Sequence, residues 1–197
     1  VNFGILGRLI RSESFQAIAI LVGVLNIGFF PCIWGGKTLL ESAQQASSIT
    51  PGGAWAGPAA AVKFTKSKDA GAGGFFGEPI PRLLRYQYLY ERVAPLWNPY
   101  QAFGTPLAAN QQSQPFYPLM LAFLLHIGPR TYDWFILARL LVAGIACYFY
   151  LRFFVSFWAA VAGGVMSMLA GYYLLYLTLP QLSAEVMLPA ALLAVEF

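Results

Sequence analysis

Apolar residues in this chain fall in long runs, not at the alternating or helical spacing of a half-buried soluble element. Phe15 to Trp34 is interrupted only by Gln16 and Asn26, Tyr132 to Phe154 by Arg139 and Arg152 beyond Asp133 at its start, and Phe157 to Leu179 carries no charge. A helix rising 1.5 Å per residue needs about 20 residues to cross the hydrocarbon. The pattern therefore predicts three spanning helices at 15–34, 132–154 and 157–179. A further apolar run at 184–197 reads as the start of a fourth. Tyr117 to Ile127 is too short to cross and lies between Pro115/Pro118 and Gly128-Pro129. Residues 115–128 are expected to form a helix at, or dipping into, the interface.

Composition agrees with a bilayer setting. Hydrophobic residues make up 58% of the 197 and charged residues 10%, where a soluble domain is about a quarter charged. The expected class is an all-α integral membrane protein with membrane lipids and other transmembrane helices or subunits as partners. The net charge of +4 is scattered, with no basic run, so nucleic acid is excluded as a partner. Cys32 and Cys147 lie in apolar runs and lack metal-ligand spacing, and no disulfide between them is expected. No sequence signal indicates a cofactor, a divalent metal included.

The chain begins without methionine and stops inside an apolar run, which reads as part of a longer product. Arg8 and Arg11 precede the first span, and Ala54-Trp55-Ala56 lies too far beyond it for signal cleavage, so a retained anchor is expected. If 117–127 does not cross, Arg8, Arg11 and Arg152 all lie in the cytoplasm, as the positive-inside rule requires. Residues 1–14 are then cytoplasmic and 35–131 form a large outer loop. Trp34, Tyr132, Trp134 and Trp158 fall at the interfaces, where amphipathic rings prefer to sit. Ala159, Gly163, Ser167 and Gly171 recur every four residues, a stripe expected to pack against another helix.

Within the outer loop, 50–77 is rich in Gly, Ala and Pro, with Lys63, Lys66 and Lys68, and reads as a flexible insertion. An amphipathic helix is predicted over 78–94. Glu78 serves as its cap, Pro79 opens its first turn, and Pro95 stops it. Arg82, Arg85 and Arg92 share an arc with Glu78, opposite Ile80, Leu83, Leu84 and Tyr90. One carboxylate beside guanidinium groups suits a base that deprotonates a hydroxyl while arginines hold a phosphate. It equally suits a surface i,i+4 pair of Glu78 with Arg82. The stretch from Trp97 to Leu119 holds no acid or base but crowds amides, aromatic rings and prolines. Such residues supply hydrogen bonds and flat faces to a polyhydroxylated ligand, and they also build ordinary interfacial loops.

Several motifs resemble the YfhO-type bacterial membrane proteins of the GT-C group of polytopic glycosyltransferases. They are Pro95-Leu96-Trp97-Asn98-Pro99-Tyr100, Gly104-Thr105-Pro106, Ala109-Asn110-Gln111-Gln112-Ser113, Phe116-Tyr117-Pro118-Leu119, the arginine of the second span and the 188–196 run that begins Leu188-Pro189-Ala190. The resemblance covers roughly 15–34 and 78–197. It implies a bacterial inner-membrane location and the N-terminal part of an enzyme using a lipid-linked, polyprenyl-phosphate sugar donor. GT-C proteins carry an acidic base in the first outer loop, usually aspartate; Glu78 occupies that place. On this reading Arg82 and Arg85, with Arg139, hold the phosphate. Asn110, Gln111, Gln112 and Gln114 bind hydroxyls, and Trp97 or Tyr100 stacks on a sugar ring. The alternative is a truncated, non-catalytic subunit packing within a larger membrane complex. A transporter or channel is disfavoured, because the spans hold almost no ionisable residues. His126 and Asp133 read as interfacial, His126 as a packed or water-facing side chain.

Overall fold

The computed structural model describes residues 3–40 and 79–196. Glu78, the 50–77 insertion with its three lysines, and Ala54-Trp55-Ala56 lie outside the described residues. The chain is mostly helical with almost no strand, and it divides into two compact units. The first comprises Val1–Gly36, Leu137–Leu174 and Ser183–Phe197; the second comprises Lys37–Ile136 and Leu175–Leu182.

Helix α1 spans Phe3–Gly28, and α2 is one turn, Phe30–Ile33. The predicted 15–34 span is therefore interrupted at Phe29, because Pro31 has no N–H to continue the ladder. The Asn26 amide is satisfied locally: Asn26 Nδ2 donates to Val22 O at 2.9 Å, and Trp34 Nε1 donates to Asn26 Oδ1 at 3.2 Å. Helix α3 is Pro79–Tyr86, followed by a π turn over Gln87–Glu91. Strands β1 (Trp97–Asn98) and β2 (Thr105–Pro106) pair antiparallel, with Trp97 opposite Pro106. A 3-10 turn at Pro118–Leu121 leads into α4, Ala122–Leu125. Helix α5 is Pro129–Leu151, α6 Phe157–Met168, α7 Gly171–Leu175, α8 Leu182–Glu185 and α9 Leu188–Glu196.

Among the described residues, two helical stretches are long and apolar enough to cross a membrane: Pro129–Leu151, and Phe157–Leu175 with a kink at its α6–α7 joint. The first starts three residues earlier than the apolar run predicts, because Pro129 is pre-set for a first helical turn. The second ends short of Leu179. Ala170 N bonds to Ser167 O, a tightened i−3 turn, and glycine follows at 171. Residues 115–128 do not make one helix. Their 3-10 turn and α4 are single turns that bury Met120 and Phe123, and the chain is extended again at His126. The run from 184 is split between α8 and α9, since Pro189 has no N–H to bond back to Glu185 and sits instead in the first turn of α9.

In the first unit, Ala17, Tyr148, Ala160 and Val161 form a buried cluster, flanked by Ile20, Phe149, Leu151 and Phe157. Arg152 Nη2 bonds to Glu13 Oε2 at 2.9 Å. The start of the apolar part of α1 thus meets the end of α5, so these helices run antiparallel. Gly163 of the predicted stripe packs against Leu151 of α5, and the backbone-to-backbone approach lies one residue on. A Cβ on Gly164 would stand 2.9 Å from Gly144 O and 3.5 Å from Leu21 Cδ2. Ala160, Gly164 and Met168 are buried, whereas Ala159 and Gly171 are exposed and Ser167 is half-buried. Gly163 is covered by Leu151. Four-residue spacing occurs in both registers, and only tertiary packing selects between them.

Replacing Gly164 with leucine should cost about 1–3 kcal/mol, because neither backbone can withdraw. Ala159→Leu should change stability by no more than about 0.5 kcal/mol. Thermal unfolding of the two variants in detergent checks this; equal losses would restore the 159–171 register.

Candidate functional site

The second unit forms around Leu40, Ile80, Leu84, Leu107, Met120, Phe123, Tyr132, Phe135 and Ile136. Ile80, Leu84 and Gln87 fall at i, i+4 and i+7, the inward stripe of a helix. Two of these bury apolar side chains. The third is an amide, and Gln87 Nε2 donates to Trp97 O at 2.8 Å, tying α3 to the hairpin. The helix leaves its regular path there. Arg92 is left-handed (φ 56) and Val93 N bonds to Gln87 O at 3.0 Å. The predicted helix to Ala94 therefore stops at Glu91, and Arg92 departs from the arc that holds Arg82 and Arg85.

That early stop shapes a cleft. Arg82, Arg85, Tyr86, Tyr90, His126 and Ile127 line an open depression of about 410 Å³. Tyr86 and Tyr90 stack with centroids 5.8 Å apart and planes 24° from parallel. Tyr90 is exposed, not on an inward face as its helical phase predicts, because the π turn changes that phase. Two guanidinium groups, an imidazole and a tyrosine wall face the same space, with no carboxylate among its described lining residues. This is the chemistry of a site for a phosphate joined to a flat or ring-bearing group.

The amide segment is placed differently. Asn110 Oδ1 accepts from Gln112 N at 2.9 Å, and Asn98 Oδ1 accepts from Tyr100 N at 3.0 Å. Both are side chains closing their own turns. Gln114 Nε2 donates to Pro180 O, and the buried Ser113 hydroxyl is held by the carbonyls of Leu107 and Asn110. Gln111 is exposed and Gln112 half-buried. None of these amides lines the Arg82–Arg85 cleft. Trp97 stands over Gly104, where a Cβ would lie 2.7 Å from the indole Cζ2. Tyr100 points outward. In the first unit, Arg139 is fully buried, and its Nη1 donates to Ser183 Oγ at 3.1 Å, an interior tie between α5 and α8.

Three residues matter beyond those the sequence singled out as site residues. Gln87 is a polar residue in an apolar stripe, a signal of a satisfied buried amide. His126 is exposed on the cleft wall. Asp133 is buried; its Oδ1 accepts from Thr38 Oγ1 at 2.9 Å and from Leu39 N at 2.7 Å. No three His, Cys, Asp or Glu side chains gather as a metal site among the described residues. No protein-family model, curated protein or solved structure matches this chain.

Gly104 has φ +114, so alanine there is strained and also collides with the Trp97 ring. Gly104→Ala should destabilise the protein by more than about 1 kcal/mol. In a Trp97→Ala background the loss should shrink, since the steric part is gone. An undiminished loss in thermal unfolding would assign the whole effect to backbone strain.

Proposed function

We propose that the chain is an integral membrane protein and that its second unit is the outward-facing part of a GT-C-like glycosyltransferase using a lipid-linked, polyprenyl-phosphate sugar. The observation that carries this reading is the convergence of Arg82, Arg85, His126, Tyr86 and Tyr90 on one open cleft. Guanidinium groups bind phosphate oxygens in paired, charge-assisted hydrogen bonds. The tyrosines offer ring faces to a sugar. The stacking role thus passes from Trp97 and Tyr100 to Tyr86 and Tyr90, and the phosphate role stays with Arg82 and Arg85 without Arg139. Glu78 directly precedes α3. As the base, it would take the proton of an acceptor hydroxyl while the acceptor oxygen bonds to the anomeric carbon. The bond from that carbon to the phosphate oxygen breaks, and the arginines hold the departing phosphate.

The membrane part of the proposal is supported by the two long apolar helices and by the Glu13–Arg152 pair. Antiparallel α1 and α5 let the intervening chain leave and return at one face. Arg8, Arg11 and Arg152 then share the cytoplasmic end, and the bacterial inner membrane is the setting that satisfies the positive-inside rule. Little of the stretch from Phe157 to Leu175 is buried despite its composition, which suits lipid or neighbouring helices.

Titrating the purified full chain in detergent with undecaprenyl phosphate tests the cleft. Arg85→Ala should weaken binding roughly 10–100-fold, the value of one charge-assisted hydrogen bond. Glu78→Gln should leave binding unchanged while lowering glycolipid turnover by roughly 10²–10⁴-fold. Unchanged affinity in Arg85→Ala would overturn the phosphate assignment. Binding that is intact beside turnover insensitive to Glu78→Gln would favour the non-catalytic subunit.

A further inference from the structure

Between Arg92 and Arg130 the chain contains no Asp, Glu, Lys or Arg, although many of these residues are exposed. A water-facing surface of that length is ordinarily studded with charge. The hairpin β1–β2 concentrates the effect at its tip. Phe103 is 110% exposed and Tyr100 77%. Ala102 and Phe103 are both left-handed, with φ of 48 and 61. Consecutive non-glycine residues in that region are strained, and here the strain turns the Phe103 ring away from the unit. The Trp97 indole against Gly104 and the Gln101–Gly104 turn, N to O 2.8 Å, fix the tip in that shape. Neither ring lines the cleft beside α3.

We infer that this tip is a membrane-interface anchor: Tyr100 and Phe103 insert among lipid headgroups and the adjoining acyl chains. The inference rests on the membrane reading of α5 and α6 but not on the ligand of the cleft. A bilayer is the occupant that the chemistry selects. Aromatic rings with uncharged amide and hydroxyl neighbours are the composition that settles at the interface. A tip whose backbone is already fixed also presents its rings to lipid with little further ordering of the chain. The same unit continues without a break into α5, one of the two stretches able to cross, so a lipid surface is tethered to it at high effective concentration. A polar glycan would instead require amides directed at the rings, and Asn98 and Asn110 are spent on their own turns.

The test uses the full chain in phosphatidylcholine vesicles, with Cys32 and Cys147 replaced by alanine and an NBD fluorophore on one introduced cysteine. Ala102→Cys reports on the tip, Met166→Cys on an exposed position of α6, and Glu91→Cys on an exposed charged position. Nitroxide-labelled phosphatidylcholine should quench positions 102 and 166 strongly and position 91 weakly, with aqueous iodide giving the reverse order. Adding Tyr100→Ser and Phe103→Ser should return position 102 to iodide. Iodide quenching at 102 with lipid quenching at 166 overturns the anchor alone; loss of lipid quenching at 166 overturns the membrane reading. Shielding of 102 from both quenchers indicates a protein contact and also overturns the anchor, as does lipid quenching at 102 that survives loss of both rings.

Discussion

The second unit depends on the carboxylate of Asp133, where the two ends of a long loop meet. Leu39 lies at the beginning of that loop and Asp133 at its end, 94 positions apart, and a single oxygen accepts from Leu39 N and Thr38 Oγ1. Thr38 Oγ1 in turn accepts from Leu40 N at 3.1 Å. Burying a carboxylate is costly unless donors replace water, so this tie persists only while both ends hold their positions. Closing a long loop costs little more entropy than closing a short one. Once it is closed, Leu40 joins Tyr132, Phe135 and Ile136 in one apolar cluster.

That closure positions the cleft. Ile80 and Leu84 anchor α3 on the cluster, which directs Arg82 and Arg85 away from it. Phe123 anchors α4, after which His126 emerges on the cleft wall. Gln87 sets where α3 ends by holding the hairpin backbone. In the first unit the corresponding constraint is backbone proximity. Gly144 and Gly164 let α5 and α6 touch with no intervening side chain, and the Glu13–Arg152 pair fixes the direction of α1. That pair is partly exposed, so its value lies more in orientation than in stability.

The long apolar runs made the helices legible, because length and lack of charge are one-dimensional properties. The start of α3 at Pro79 and its Arg82/Arg85 face were legible for the same reason: proline marks a first turn and helical phase groups the arginines. The breaks were harder. Phe29, the α6–α7 joint and the π turn at Gln87 depend on partners distant in sequence or on small shifts of local bonding. The amide-rich motif is ambiguous about roles. Asn98 and Asn110 carry the residue type of a sugar site, but their side chains close turns, and sequence alone does not separate those uses. The tie made by Asp133 was not legible, because its partners lie 94 and 95 positions away.

In the proposed topology, residues 37–136 leave and rejoin a membrane at one face. Single cysteines at Lys37, Gln111 and Ser156, in a chain with Cys32 and Cys147 replaced, can be labelled with a membrane-impermeant maleimide. Intact cells and inverted vesicles present opposite faces to the reagent. Labelling of 37 and 111 from outside only, and of 156 from inside only, is the predicted result. Labelling of all three from the same side, or of 37 and 111 from opposite sides, would contradict it.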